Sequence, residues 1–346
     1  AAYRGDLLQA VQKAARRLEG SYAIAGLAEG ERVIVAARRK SPLLVGRGEG
    51  SVLASDLPAI APLANEVYSL KEGGFALLTE DDVRLFDEEL CEWKGEPIEF
   101  GKVEGDGGKG GYPHYMRKEI AEDPAAIANS IADLTADSRF FDISIVLCQT
   151  YYIQIVACGT AYHSGVAAKY AIEALSRVPV EVDIASEYRY RDPIVPKGTL
   201  VIAVSQSGET ADTLAAAALA KERGAKVLAL TNVPYSSLTA LADFVLLTHA
   251  GRETAVAATK SFCAQLASLY SIAAALAALK GRSAPSLAPF PALCEDALSR
   301  SQKVKVWARA LCQKKSVYFI GRGADYAAAI EGSLKLKEVS NLASEG

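Results

Sequence analysis

The sequence predicts an α/β protein built on a doubly wound parallel sheet, preceded by a region of α+β type. Five apolar runs in the second half alternate with helical patterns, as parallel strands covered on both faces do. The first hundred residues instead show one helix and then short apolar runs separated by glycine-rich and polar turns, which is typical of antiparallel sheets. The strand–turn–helix pattern around Gly159 returns around Gly321, which indicates a duplicated α/β domain.

The composition excludes several classes of protein. The 38 basic and 41 acidic residues leave a net charge of −3, whereas a dedicated nucleic-acid-binding protein would show a strongly basic face. Apolar residues at 50% and charged residues at 23% are globular rather than disordered values. Six cysteines are too sparse for a disulfide scaffold, and none has the close spacing of a zinc site. We therefore expect free thiols, a cytoplasmic location, no metal and no nucleic-acid partner.

The first region, residues 1–100, is predicted to start with a helix over Leu7–Leu18. Short strands follow it, at 22–27, 32–37, 42–45, 51–54, 75–78 and 83–86. Residues 101–152 are predicted to connect the two regions, because 101–111 contains six glycines and a helical pattern runs from Met116 to Ala136.

Residues 153–300 are predicted to form the first α/β domain. Its strands are expected at 153–157, 180–184, 200–204, 226–230 and 244–247, and its helices at 166–175, 211–223 and 259–279. Residues 301–346 are predicted to begin a second domain, with a strand at 317–320 and a helix at 326–339. A lone strand and helix cannot form a closed core, so we expect the chain to be part of a longer protein.

The longest stretch without charge, Ser261–Leu279, has two interpretations. Nineteen residues are long enough to span a bilayer. The stretch also contains Gln265 and several hydroxyl side chains, and it lies between segments of globular composition. We therefore predict a buried, alanine-rich helix and no membrane partner.

The segment Ser205–Thr210 is a candidate phosphate-binding loop. It follows the predicted strand 200–204 and precedes a helix, and ligands of parallel sheets bind where such loops leave the strands. Its three hydroxyls, with Gly208 and the backbone N–H groups of a helix start, suit a phosphate dianion. The alternative is ordinary N-capping, which accounts for one hydroxyl but not for three in six residues.

Two further groups are candidates on weaker patterns. Cys158-Gly159-Thr160 ends the first predicted strand and could supply a hydroxyl and a close backbone approach; capping and a buried thiol are the alternative. Glu331, Lys335 and Glu338 share one helical face, which fits either a surface ion pair or a carboxylate base beside an ammonium group.

The chain resembles the glucosamine-6-phosphate synthase family in segments that follow one another in the expected order. The segments that carry the resemblance are 41–43, 54–56, 114–120, 157–160, 185–191, 205–213, 232–234, 257–260 and 331–338. The resemblance covers nearly the whole chain, although residues 136–152 match poorly.

The resemblance implies an enzyme that makes glucosamine 6-phosphate from fructose 6-phosphate and glutamine. It implies sugar isomerase (SIS) domains preceded by the rear part of an N-terminal-nucleophile glutaminase domain, a homodimer and no cofactor. Glu338 would move a proton between sugar carbons C1 and C2, and Lys335 would assist proton transfers at the sugar oxygens. The implied substrate-binding residues are Gly159, Thr160, Ser205, Gln206, Ser207, Thr210, Val256 and Ala258.

The chain also departs from the family pattern. Family members begin with a catalytic cysteine, whereas this chain begins Ala1-Ala2-Tyr3, so the glutamine site is expected outside it, as is the Schiff-base lysine. Ala161 and Ala258 stand where members often have serine. The alternative function is therefore a phosphosugar-binding protein that senses a hexosamine phosphate without catalysis; Lys335 and Glu338 argue against it, because a sensor needs no base.

Overall fold

The computed structural model describes residues 5–55, 57–98, 108–136 and 139–346. These residues form two compact units, divided between Gly108 and Lys109. The sequence predicted a connecting segment over 101–152, of which residues 101–107 and 137–138 lie outside the described residues.

The first unit is an α+β arrangement of two antiparallel sheets. One sheet has the strand order β1-β2-β6-β7-β8 and the other has the order β4-β3-β5. Its hydrophobic core includes Ala36, Val45 and Leu78, each at most 1% exposed. In chain order the elements are α1 (Leu7–Ala15), β1 (Tyr22–Leu27), β2 (Ile34–Arg39), β3 (Leu44–Gly48), β4 (Ser51–Ala54), α2 (Leu57–Ile60), β5 (Ala64–Ser69), β6 (Phe75–Leu78), β7 (Val83–Phe86) and β8 (Glu92–Trp93).

Three elements of the first unit were not predicted: α2, β5 and β8. The central strand of the smaller sheet, β3, pairs with β5. Within β5, two consecutive exposed residues, Asn65 and Glu66, interrupt the alternation of apolar and polar residues. A strand with neither period-two alternation nor a continuous apolar run gives little sequence signal. Helix α2 and strand β8 are one turn and two residues long, too short for any periodicity.

The second unit contains the predicted parallel sheet, in the order β10-β9-β11-β12-β13. Its strands are β9 (Tyr152–Ala157), β10 (Val180–Ile184), β11 (Thr199–Ser205), β12 (Lys226–Thr231) and β13 (Phe244–Leu247). The helices of this part are α3 (Tyr115–Ala136), α4 (Arg139–Gln149), α5 (Gly159–Ser176), α6 (Ala185–Tyr190), α7 (Ala211–Glu222), α8 (Ser237–Leu241) and α9 (Lys260–Leu279). The predicted α/β fold class is confirmed.

Each face of this sheet has its own core. Alternate residues of β11 enter different cores: Ile202 packs towards α5 and α9, and Ala203 packs towards α6, α7 and α8. Because both faces are covered, the strands consist almost wholly of apolar residues, which is the feature from which they were predicted.

The chain reverses direction across the sheet between β9 and β11. From β9 it proceeds to β10 on one side, and it then returns to β11 on the other side. The carboxyl ends of these two neighbouring strands form a topological switch point, which is where open α/β sheets bind their ligands.

Helix α9 is the charge-free stretch of the sequence. Within the described parts of the chain it is the one helix long and apolar enough to cross a membrane. Leu269, Ile272 and Leu276 of α9 are fully buried against the sheet and its neighbouring helices. The predicted buried helix therefore forms one layer of the second unit.

The segments on either side of the sheet domain pack onto it. Helices α3 and α4 contact α9, so part of the predicted connecting segment belongs to the second unit. The last elements are α10 (Phe290–Ser299), α11 (Ser301–Leu311), β14 (Ser316–Tyr318), α12 (Ala324–Ser340) and β15 (Ala343–Glu345). The predicted lone strand is in fact paired, because β15 runs parallel to β14. Helix α12 lies on α5, where Ala327 is buried beside Val166 and Ala167.

Candidate active site

A cavity of about 270 Å³ lies at the switch point of the parallel sheet. Three groups of residues define it, beside the start of α5. We call Ser205–Thr210 the loop wall, Lys335 and Glu338 the α12 wall, and the part formed by Val256, Ala258, Ser261 and Gln265 the α9 wall. The lining residues are Cys158, Thr160, Ala161, Val204, Ser205, Gln206, Ser207, Thr210, Val256, Ala258, Ser261, Gln265, Lys335 and Glu338.

The loop wall is held in place by its own backbone and hydroxyl groups. The Ser205 Oγ accepts a hydrogen bond from the Gly208 N–H at 3.0 Å and lies 2.9 Å from the Thr210 Oγ1. The Ser207 Oγ accepts from the Glu209 N–H at 3.2 Å. A hydroxyl that accepts a hydrogen bond keeps its own proton, so Ser207 and one member of the Ser205–Thr210 pair each have a proton left to donate. The loop therefore presents hydroxyl donors at the start of α7, where the helix dipole is positive.

Gly208 is required by the shape of this loop. Its φ is +67°, and a Cβ at this position would lie 2.1 Å from the Ser236 Oγ. The Gly208 carbonyl accepts from the Leu238 N–H at 3.0 Å, which ties the loop to α8. Any larger residue would have to push these two segments apart.

The capping alternative does not account for Thr210. Thr210 is the N-cap residue of α7, yet its side chain makes no capping hydrogen bond. Its hydroxyl is instead paired with Ser205 at the edge of the cavity.

The α12 wall rests on a buried carboxylate. Glu331 is 6% exposed and accepts from the Thr160 Oγ1 at 3.0 Å, and its other oxygen lies 2.7 Å from the His163 Nδ1. The Lys335 Nζ lies 3.6 Å from Glu331 and 2.5 Å from Glu338. The ammonium group thus sits between two carboxylates, and the ion pair is part of the cavity lining rather than of a fully solvated surface.

Among the described residues, no hydrogen bond joins the Cys158 thiol to a basic side chain of the kind a catalytic thiol needs. The nearest candidate in the sequence, His163, is directed to Glu331. The Cys158 Sγ accepts a weak hydrogen bond from the Thr213 Oγ1 at 3.9 Å. The structure therefore gives no support for a nucleophilic role of this thiol.

Two carboxylates hold the segment that leads into the α9 wall. Glu119 of α3 accepts hydrogen bonds from the N–H groups of Thr254 and Ala255. Glu253 accepts from the N–H groups of Thr259 and Ser261, at 2.8 and 3.2 Å, at the start of α9. The α9 wall is thereby fixed to its surroundings through the backbone.

An unusual carboxyl group lies close to this region. Asp123 of α3 is 7% exposed, and this burial raises its pKa to about 7. The Cys263 thiol donates to it, and burial together with this carboxylate raises the pKa of the thiol as well. The neighbouring charges are Glu122, Glu253 and Lys260, and Lys260 is itself paired with Glu122 at 2.7 Å.

The structure brings together nine of the ten residues that the sequence singled out. They are Thr160, Ser205, Gln206, Ser207, Thr210, Val256, Ala258, Lys335 and Glu338. Gly159 stands at the start of α5 with a φ of +56° and does not line the cavity. Among the described residues there is no cluster of His, Cys, Asp and Glu that could hold a metal ion.

Sequence reasoning missed Ser261 and Gln265. The two polar residues are four apart near the start of an otherwise apolar helix, which places them on one face. Their spacing was the available signal, but it was used only to argue against a membrane span.

Comparisons with known proteins show which family and relatives the chain is similar to. A family model described as the SIS domain matches residues 147–275. Relatives named glutamine–fructose-6-phosphate aminotransferase (isomerizing), from Clostridium tetani and Aquifex aeolicus, are 46% and 41% identical to the chain over 99% of its length. The chain spans 59% and 58% of the length of these two curated relatives.

A solved structure is similar over more than two thirds of this chain. The C-terminal domain of glucosamine-fructose-6-phosphate aminotransferase from Francisella tularensis is 39% identical, with a TM-score of 0.64. The similarity covers 69% of this chain and 71% of that chain. Together the matches confirm the SIS-type parallel sheet.

Proposed function

Since the chain belongs to the glutamine–fructose-6-phosphate aminotransferase family, we propose that it carries the sugar-phosphate site of an enzyme that forms glucosamine 6-phosphate. The substrates are fructose 6-phosphate and glutamine. The observation that carries this proposal is the cavity in which the loop wall meets the Lys335–Glu338 ion pair.

The loop wall holds the phosphate group in this proposal. Ser207 and one hydroxyl of the Ser205–Thr210 pair have a proton to donate, and α7 starts directly behind them. Hydroxyl and backbone donors at a helix N-terminus match a phosphate dianion. Gln206 and Thr160 line the same space and would contact the sugar phosphate beside it.

In this proposal, residues of the α12 wall transfer the proton. Glu338 takes a proton from C1 of the open-chain sugar and returns it at C2, which turns the ketose skeleton into the aldose skeleton. A positioned carboxylate typically contributes 10² to 10⁴ in rate to such a step. Lys335, held 2.5 Å from Glu338, donates to the sugar oxygens as their charge changes.

The remaining parts of the proposal concern the protein that carries this chain. Residues 1–100 belong to a glutaminase-type domain, and glutamine supplies the amino group at a site outside this chain. The protein acts as a homodimer in the cytoplasm without a cofactor. The six cysteines, all within the described residues, are unpaired, which supports a reducing compartment.

A sensor without catalysis would need the loop wall but not the α12 wall. The relatives at 41–46% identity are named as aminotransferases, which favours the enzyme.

The phosphate site is tested by calorimetry with fructose 6-phosphate. Ser207→Ala removes a hydroxyl donor from the loop wall, so it should weaken binding by about 1–3 kcal/mol. The control is Ser237→Ala, which makes the same change in the neighbouring helix α8, outside the cavity lining. Unchanged affinity for Ser207→Ala, or an equal loss in both variants, would contradict the phosphate assignment.

A further inference from the structure

Two polar side chains of the α9 wall lack partners although they are deeply buried. Ser261 and Gln265 are each 2% exposed, and both line the cavity. Within the described residues neither the Ser261 Oγ nor the Gln265 Oε1 has a hydrogen-bond partner. Buried polar groups are nearly always paired, because an unpaired one loses its hydrogen bonds to water without replacement.

The position of these atoms is fixed by the fold. The Ser261 N–H is already bonded to Glu253, so the side chain is the part of this residue that is free to bind. Gln265 follows one turn later on the same face of α9, whose next turns are buried in the sheet domain. The two groups therefore lie along one line of the cavity wall.

The chemistry of these groups distinguishes between the two ends of a sugar phosphate. An amide oxygen can only accept hydrogen bonds, so it is unsuited to a phosphate dianion, which also only accepts. A serine hydroxyl and a glutamine amide both pair well with hydroxyl groups, which donate and accept. The loop wall already offers donors for the phosphate.

We propose that Ser261 and Gln265 bind the hydroxyl groups of the sugar's carbon chain and so determine which phosphosugar the cavity accepts. The proposal rests on the proposed function, because it requires a sugar phosphate in this cavity. It assigns the α9 wall to the polyol part of the substrate, beside the phosphate on the loop wall and the proton transfer on the α12 wall.

The test is the binding of two probes to the 346-residue chain: fructose 6-phosphate and inorganic phosphate. Ser261→Ala and Gln265→Met should each weaken fructose 6-phosphate at least fivefold and change inorganic phosphate less than twofold. The matched control is Ser268→Ala on the same helix. Ser268 is also buried and without a partner in the described residues, but it does not line the cavity. This control should change neither affinity.

Thermal unfolding separates binding from structure. Because Ser261→Ala removes an unpaired buried hydroxyl, the melting temperature without ligand should stay the same or rise. A fall in melting temperature alongside weaker binding would overturn the proposal in favour of a structural role. So would fructose 6-phosphate affinities within twofold of the wild type in both variants, or an equal loss for inorganic phosphate.

These outcomes are distinct from a failure of the proposed function. If the wild-type chain binds fructose 6-phosphate and Ser207→Ala weakens it, the phosphosugar site stands whatever Ser261→Ala does. If the wild-type chain binds no fructose 6-phosphate, the proposed function and this inference both fall.

Discussion

The loop wall and the α12 wall of the cavity are built in different ways. Six consecutive residues form the loop wall, and hydrogen bonds within the loop, such as that from the Gly208 N–H to Ser205, hold its hydroxyl groups. The α12 wall depends on side chains far apart in the sequence: Glu331 bonds to Thr160, 171 residues away. The first arrangement is suited to holding a fixed anion. The second places charged groups where the proposed proton transfer would occur.

The largest effect is expected from a substitution that changes the α12 wall alone. Glu338→Gln keeps the shape of the side chain but removes the base, so turnover should fall by about 10² to 10⁴. Binding of fructose 6-phosphate should stay within a few fold, because the loop wall is untouched. Steady-state kinetics and calorimetry on one preparation of the complete protein that carries this chain provide the measurement. Turnover within threefold of the wild type would remove Glu338 from the mechanism.

A second prediction concerns Asp123, which belongs to neither wall. Its pKa is about 7 in the folded protein and close to 4 in an unfolded chain, so the folded state binds the extra proton between these values. The stability that this group contributes is therefore present below pH 4 and is lost as the pH rises through 7.

Asp123→Asn cannot ionise and should remove this loss. Compared with the wild type, the variant should gain free energy of unfolding at pH 8, by up to about 4 kcal/mol, and the gain should disappear near pH 4. Urea unfolding at a series of pH values measures the difference. A gain that does not depend on pH would show that Asp123 does not titrate in this range.

The smallest of the expected effects tests the role of Glu331. Glu331→Gln keeps a hydrogen-bond acceptor for Thr160 but removes the charge beside Lys335. We expect turnover to fall roughly tenfold, for a loss on the order of 1–2 kcal/mol, with KM nearly unchanged.

The control for this variant is Asp296→Asn, which breaks an exposed ion pair with Arg300 on α10. Exposed pairs are worth little, so its turnover should stay within twofold. Equal kinetics for Glu331→Gln and the wild type would show that the buried carboxylate does not position Lys335.

The same contrast explains how much of the site could be predicted from the sequence. The loop wall was predictable because its residues are contiguous and follow a strand with an unmistakable apolar pattern. The face shared by Glu331, Lys335 and Glu338 was also visible from helical spacing. That this face lies in a cavity was not, because a surface helix and a helix packed on α5 show the same spacing.

The α9 wall and parts of the first unit are features that sequence patterns could not predict. Ser261 and Gln265 were visible only as polar residues in an apolar helix, since nothing local reveals that their face meets a cavity instead of a neighbouring helix. Strand β5 was missed because its place at the edge of the smaller sheet is set by pairing with β3, not by alternation within β5.

The separate roles proposed for the two walls are tested most directly by the kinetics of the complete protein at saturating fructose 6-phosphate. The account predicts that Ser207→Ala raises KM and recovers most of its turnover at saturation, while Glu338→Gln keeps its KM and stays slow at every concentration. Two variants that both recover at saturation, or that both stay slow, would contradict the assignment of phosphate binding to one wall and proton transfer to the other.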